Sequence, residues 1–285
     1  MEQEIINLYD EYTHRPLSRQ EFLCRLTKMA GSTAAAMALL PMLEINTVNA
    51  ATIPEEQLFT ERIEYPGFNG NMQAYIARPK KDARYPAVVV IHENRGLNAH
   101  IEDVARRAAG AGYLAIAPNA LSSLGGTPAN EDEARQLFQQ LKAEESLQNF
   151  IKVFDYLPGR KDCNGKYGCV GFCWGGGMAN KLAVNVSSLS AAVAFYGAQP
   201  DAADVPKIKA AVQLHYGGLD ERINAGIPAY EAALKKAGTR YELYMYDGVN
   251  HAFHNDTAPT RYNEAAAKLA WQRTLNFFGK YVPAT

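Results

Sequence analysis

From about residue 55 onward, short β-prone runs alternate with stretches of helical spacing. Phe59 to Tyr65 and Met72 to Ala77 alternate apolar and polar positions around Phe68-Asn69-Gly70-Asn71. Asn-Gly between two such runs predicts a hairpin. Pro86 to Ile91 is apolar throughout, the pattern of a strand buried on both faces of a parallel sheet. Further strands are expected at Tyr113 to Ala117, up to Val170, and at Ala191 to Tyr196, Ala210 to Tyr216 and Tyr241 to Tyr246. Between them, Ile101, Val104, Ala105 and Ala108 form the stripe of a helix that Gly112 ends. One long helix is expected from Glu131 to Leu157, stopped by Pro158-Gly159, and another from Ile227 to Ala237. The C-terminal helix carries Ala267, Trp271, Leu275 and Phe278 at helical spacing, a core stripe. The turn-rich segment Leu121 to Asn130 is expected to border a pocket. Strands alternating with helices predict an α/β fold: a mostly parallel central sheet with helices on both faces.

Residues 1–53 follow a different pattern, so the chain divides into an N-terminal extension (1–53) and a catalytic domain (54–285). A basic flank with Arg19, Arg25 and Lys28 precedes an apolar run from Met29 to Leu43, and Val48-Asn49-Ala50 stands before Ala51. That order is the order of an export signal, with the mature chain beginning near Ala51 and a periplasmic or exported location; a cytoplasmic location is the alternative. Ser18-Arg19-Gln20-Glu21-Phe22-Leu23 is similar to a twin-arginine signal with Gln20 in place of the second arginine. The other reading of this segment is a pair of helices packed on the body. The apolar run is shorter than the ~20 residues of a membrane span and is diluted by Gly31, Ser32, Thr33 and Pro41, so no span is expected.

With 285 residues, 47% of them hydrophobic, the chain can bury a full core. Its net charge of −1 leaves no electrostatic footprint for nucleic acid. A small molecule is the expected partner. The four cysteines (Cys24, Cys163, Cys169, Cys173) lack metal-type pairing, and neither a metal nor a cofactor is expected.

The candidate chemistry centres on Gly171-Phe172-Cys173-Trp174-Gly175, between a β-prone run and a helix-compatible one. A strand, a sharp turn and a helix with glycines flanking the middle residue form a nucleophile elbow. Cys173 is the projecting residue, and the Trp174 backbone N–H is half an oxyanion hole. Cys169, on the preceding strand, reads as packing. A thiol nucleophile needs a base and a group to orient it. Asp220 and His251 follow in the order nucleophile, acid, histidine, each just beyond a strand and at the sheet edge that carries Cys173. His251-x-x-His254 with Asp256 makes a weak metal pattern. After the strand ending at Ile91 come His92-Glu93-Asn94-Arg95-Gly96. The backbone of Asn94 is the expected second oxyanion donor. Glu93 is an acid that needs a partner, Arg95 being the structural candidate.

Taken together, the G-x-C-x-G turn, the downstream Asp220 and His251 and the early Glu93 resemble the dienelactone hydrolase family from about residue 55 to the C-terminus. The resemblance implies an α/β-hydrolase that opens esters or lactones of small carboxylic acids by acyl transfer to cysteine, with Glu93 on Cys173 at rest. The family holds its substrate carboxylate with arginines, one of them four residues after the catalytic histidine. Here that position is Asn255, and Arg95 is the remaining candidate for an anion contact. Two other readings use the same residues. One is glyoxalase or deglycase chemistry, in which a histidine commonly stands where Trp174 does; the other is a ligand-binding relic on a hydrolase scaffold.

Overall fold

The computed structural model describes residues 1–15, 17–44 and 57–284. Eight strands form one sheet: β1 (Leu58–Pro66), β2 (Asn71–Pro79), β3 (Tyr85–Ile91), β4 (Leu114–Pro118), β5 (Cys163–Phe172), β6 (Leu189–Phe195), β7 (Ala211–Gly217) and β8 (Tyr241–Tyr246). Their order is β1-β2-β4-β3-β5-β6-β7-β8. The expected hairpin joins β1 to β2, with Tyr65 opposite Met72, and β2 pairs antiparallel with β4. All pairs from β4 to β8 are parallel. The C-terminal ends of β3, β5, β7 and β8 therefore lie along one edge.

The helices are α1 (Gln3–His14), α2 (Arg19–Ala30), α3 (Thr33–Glu44), α4 (Ala99–Gly110), α5 (Glu131–Phe138), α6 (Ala143–Ile151), α7 (Val153–Tyr156), α8 (Trp174–Asn185), α9 (Glu221–Asn224), α10 (Ile227–Ala237) and α11 (Glu264–Tyr281). Strand periodicity sorts the core into two layers. Ala87, Val89 and Ile91 of β3 pack with Phe150, Leu182 and Leu234, on the face covered by α6, α8 and α10. Val88 and Val90 point the other way, into a layer with Val104, Ala270 and Phe278 from α4 and α11. Of the stripe expected on the last helix, Phe278 is buried in this layer and Trp271 and Leu275 pack half-buried against it, while Ala266, Ala270 and Phe277 add to the buried face.

The single helix expected over residues 131–157 is instead three helices and a 3-10 turn. Helical rotation explains the break. Ala134 and Phe150 are both buried. Sixteen residues of one continuous helix would set them about 160° apart, on opposite faces. The chain interrupts the helix before Ala143 and restarts it in a phase that serves both.

The extension forms a cluster of its own. Tyr12 stacks on Phe22 with ring centroids 4.3 Å apart, and Leu26, Leu40 and Leu43 close over them. Ser18 caps α2 by accepting from the Glu21 N–H at 3.1 Å. Among the described residues no single helix is long and apolar enough to cross a membrane; α2 and α3 together have the length but are bent by 113° at their junction. The expected cleavage site, Val48-Asn49-Ala50 before Ala51, lies outside the described residues. Gln3–His14, Arg19–Ala30 and Thr33–Glu44 are helical, and α1 lies across the sheet edge described next.

Candidate active site

Cys173 sits between β5 and α8 with φ 57° and ψ −116°, a left-handed conformation that a residue with a Cβ adopts only when its surroundings impose it. The neighbouring glycines do so. A Cβ on Gly171 would lie 1.9 Å from the Gly175 carbonyl oxygen, and one on Gly175 would lie 2.4 Å from that of Ile91. The Cys173 N–H donates to the Phe195 carbonyl at 3.0 Å, and its carbonyl accepts from Gly177 at 3.1 Å. The side chain is 6% exposed. Tyr196 (φ 39°) and Ala252 (φ 62°) are the other left-handed non-glycine residues among those described, and both border the same site.

Asp220 follows β7 and His251 follows β8. The His251 Nδ1 lies 2.5 Å from Asp220 Oδ2, while Asp220 Oδ1 caps α9 by accepting from Ile223. A carboxylate only accepts, so Nδ1 carries the ring proton. The His251 Nε2 is buried and has no hydrogen-bond partner. A ring nitrogen of His251 lies within 4.8 Å of the Cys173 sulfur.

The sulfur itself contacts a residue the sequence did not single out. His14, at the end of α1, places Nε2 2.9 Å from Cys173 Sγ, and its ring meets that of His251 edge-on at 4.7 Å. Its Nδ1 lies 2.8 Å from the Asp10 carbonyl and 3.2 Å from Asp10 Oδ1. Cys173, His14 and His251 are close enough together to suggest a metal cluster. Two ligands of a tetrahedral zinc would however stand about 3.5 Å apart, so the shorter sulfur–nitrogen distance is that of a hydrogen bond. His254 faces away: its ring packs on Phe172 at 4.8 Å and His100 at 5.9 Å, and His100 bonds Asp256 at 2.9 Å.

Glu93 has neither expected partner. Its carboxylate accepts from the Asn255 amide at 2.6 Å and from the Tyr196 hydroxyl at 3.4 Å, not from Cys173 or Arg95. The residue four positions after His251 thus holds the acid, and Asn255 is in turn held by the Thr257 N–H and hydroxyl. Arg95 donates to the carbonyl and side-chain oxygens of Asn94. With Glu93 and Cys173 it lines a pocket of about 40 Å³ beneath α1, room for little more than water.

The larger cavity beside the sulfur, about 490 Å³, is walled by Phe138, Trp174, Tyr196 and Ile223, with Arg15, Arg135 and Arg222 adding charge and Asn94 at the edge. Trp174 opens α8, so its backbone N–H is one of the first-turn donors a helix leaves free, and its indole stacks on His92 at 5.5 Å. Arg261 was also missed by sequence reading. Burial lowers its pKa, but the charges of Tyr9, Glu93, Asp10 and Cys173 outweigh that and raise it. No local motif announces it. All four cysteines are free thiols, and burial pushes the Cys169 thiol far up, which leaves it inert.

A parallel sheet with an antiparallel edge, a strained elbow after β5 and an Asp–His pair after the last two strands define an α/β-hydrolase. The model of the dienelactone hydrolase family matches residues 72–282. The chain is 33% identical over 271 residues to a Salmonella typhimurium protein named as a carboxymethylenebutenolidase, with 90% of this chain and 97% of that one covered. It is 33% identical over 244 residues to one so named from Escherichia coli O157:H7, covering 80% and 89%. A solved dienelactone hydrolase structure from Klebsiella pneumoniae superposes with a TM-score of 0.72 at 30% identity, covering 79% of this chain and 99% of that one. The chain belongs to the dienelactone hydrolase family, and the protein is an enzyme, a hydrolase of the ester and lactone type.

Proposed function

We propose that the protein hydrolyses esters or lactones of small carboxylic acids through a thioester on Cys173. The observation that carries this reading is the elbow, which sets the sulfur in the wall of the cavity with imidazole nitrogen beside it. Deprotonated sulfur attacks the substrate carbonyl, and the oxygen that gains charge is received by the backbone N–H groups of Trp174 and Asn94. His251, oriented by Asp220, takes a proton from the water that cleaves the thioester. Glu93 acts as a negative charge near the thiol rather than as its direct partner. The cavity volume suits a small acyl group, and Arg15, Arg135 and Arg222 favour substrates that carry an anionic group.

The test is a panel of p-nitrophenyl esters of increasing chain length, with neutral and carboxylated lactones and methylglyoxal, assayed on wild type and Cys173→Ala. Short esters and carboxylated lactones should turn over in wild type only. Turnover of methylglyoxal alone would favour glyoxalase chemistry instead.

A further inference from the structure

Two Asp–His pairs converge on one sulfur, and the pair that touches it comes from the extension. The groups facing the His14 Nδ1 are the Asp10 carbonyl, the Asp10 carboxylate and the Thr13 hydroxyl. The first two only accept, and the Thr13 hydroxyl gives its own hydrogen to the Asp10 carbonyl. Nδ1 therefore carries a proton, and in the neutral ring Nε2 presents its lone pair to the Cys173 thiol 2.9 Å away. Burial alone would lower the His14 pKa, but the sulfur and Asp10 reverse this and raise it above its ordinary 6.5. For Asp10, burial raises the carboxyl, but His251, His14 and Arg222 outweigh it and hold it well below the usual carboxylate range.

The helix is fixed in this position by contacts spread along it. Gln3 bonds the Asn250 side chain at 2.5 Å, and the Thr13 carbonyl accepts from Asn94 at 2.7 Å. Arg135 donates to the Tyr12 hydroxyl at 2.7 Å while its guanidinium lies over the ring at 3.9 Å. His14 and Cys173 both line the 490 Å³ cavity, together with Trp174 and Phe138, so a substrate held there lies beside the sulfur.

We propose that His14, backed by Asp10, is a catalytic residue: the base that takes the Cys173 proton during acylation, leaving His251 and Asp220 to activate water in the second half-reaction. This rests on the cysteine-nucleophile reading above. The thiol proton passes to His14 Nε2, a sulfur electron pair forms the C–S bond, and the carbonyl π pair moves to oxygen. The intermediate collapses, the C–O bond to the leaving group breaks, and the departing oxygen takes the proton from His14. Water then gives a proton to the unpartnered Nε2 of His251, and its oxygen bonds the acyl carbon. The C–S bond breaks and the sulfur recovers that proton. The extension is on this account part of the working enzyme.

The experiment uses the full chain as wild type, His14→Gln, Asp10→Asn, His251→Gln and Cys173→Ala. It reads the acylation burst and the steady state with p-nitrophenyl acetate, and iodoacetamide alkylation of Cys173 across pH. His14→Gln should lose roughly 100-fold in burst rate and in alkylation near neutral pH, with part of each restored by added imidazole. Its alkylation should also follow a different pH profile from that of the wild type. Asp10→Asn, which leaves the imidazole in place, should slow alkylation near neutral pH. His251→Gln should keep the burst and stall as acyl-enzyme. A wild-type pH profile and burst in both His14→Gln and Asp10→Asn would overturn the proposal. Turnover by Cys173→Ala would instead overturn the nucleophile assignment beneath it.

Discussion

His251 and Asp220 stand after neighbouring strands, and their side chains meet at 2.5 Å across the end of the sheet. The contact fixes which nitrogen of His251 is bare. Asp220→Asn would present an amide that can donate to Nδ1, favouring the wrong tautomer while the cap on Ile223 survives through the remaining oxygen. A loss of about 10³- to 10⁴-fold in kcat with little change in melting temperature is expected. Steady-state kinetics beside thermal melts check it, and a loss below tenfold would remove Asp220 from the mechanism.

Glu93 should restrain the thiol through charge. In Glu93→Gln the side chain can still accept from Asn255, but the negative charge is gone and the thiolate is less disfavoured. Alkylation of the free enzyme near neutral pH should rise several-fold while ester turnover falls. Stopped-flow alkylation and steady-state assays read the two halves. If neither moves, the carboxylate serves only to hold Asn255 and Tyr196.

The elbow's glycines make a contrast with those elsewhere. Gly171→Ala should cost more than about 4 kcal/mol or prevent folding, because the new Cβ meets backbone that cannot withdraw. Gly279→Ala, in α11 with open space around its Cβ, should be neutral or stabilising by about 0.5–1 kcal/mol. Chemical denaturation of the two variants gives the comparison.

His92 makes stability fall in mild acid. Its Nε2 accepts from the Ala120 N–H at 3.0 Å and its Nδ1 donates to the Glu93 carbonyl at 2.6 Å, so only the neutral ring fits. Burial pushes its pKa down to about 4 from the ordinary 6.5. Between those values the unfolded chain binds the proton and the folded one does not. Folding therefore weakens as pH drops from about 6.5 to about 4, by on the order of 3 kcal/mol for this residue. His92→Asn should be less stable at neutral pH but lose less on acidification. Melting curves measured across that range decide it; parallel slopes in both proteins would contradict the assignment.

What could be read from the sequence follows the distance over which each signal acts. The elbow announces itself within five residues, because the glycines that relieve its crowding are its chain neighbours. Asp220 and His251 were legible because strand ends mark one edge of a parallel sheet. His14 was not, since it meets Cys173 across 159 positions and lies in a segment whose composition reads as an export signal. Nor was the swap at Glu93. Arg95 is only two positions away in sequence, but the chain turns after β3 so that Asn255 reaches the carboxylate instead. The break before Ala143 was hidden because each half of that segment has sound helical spacing and only the phase between the halves fails.

A covalent bond to Cys173 is read by intact mass followed by peptide mapping of full-length enzyme quenched in acid during turnover of a slow p-nitrophenyl ester. The expected result is a mass increase equal to one acyl group, carried on the peptide containing Cys173, absent from Cys173→Ala and discharged when turnover is allowed to finish. Turnover by Cys173→Ala, or steady hydrolysis by the wild type with Cys173 unmodified and the acyl group on another side chain, would contradict it.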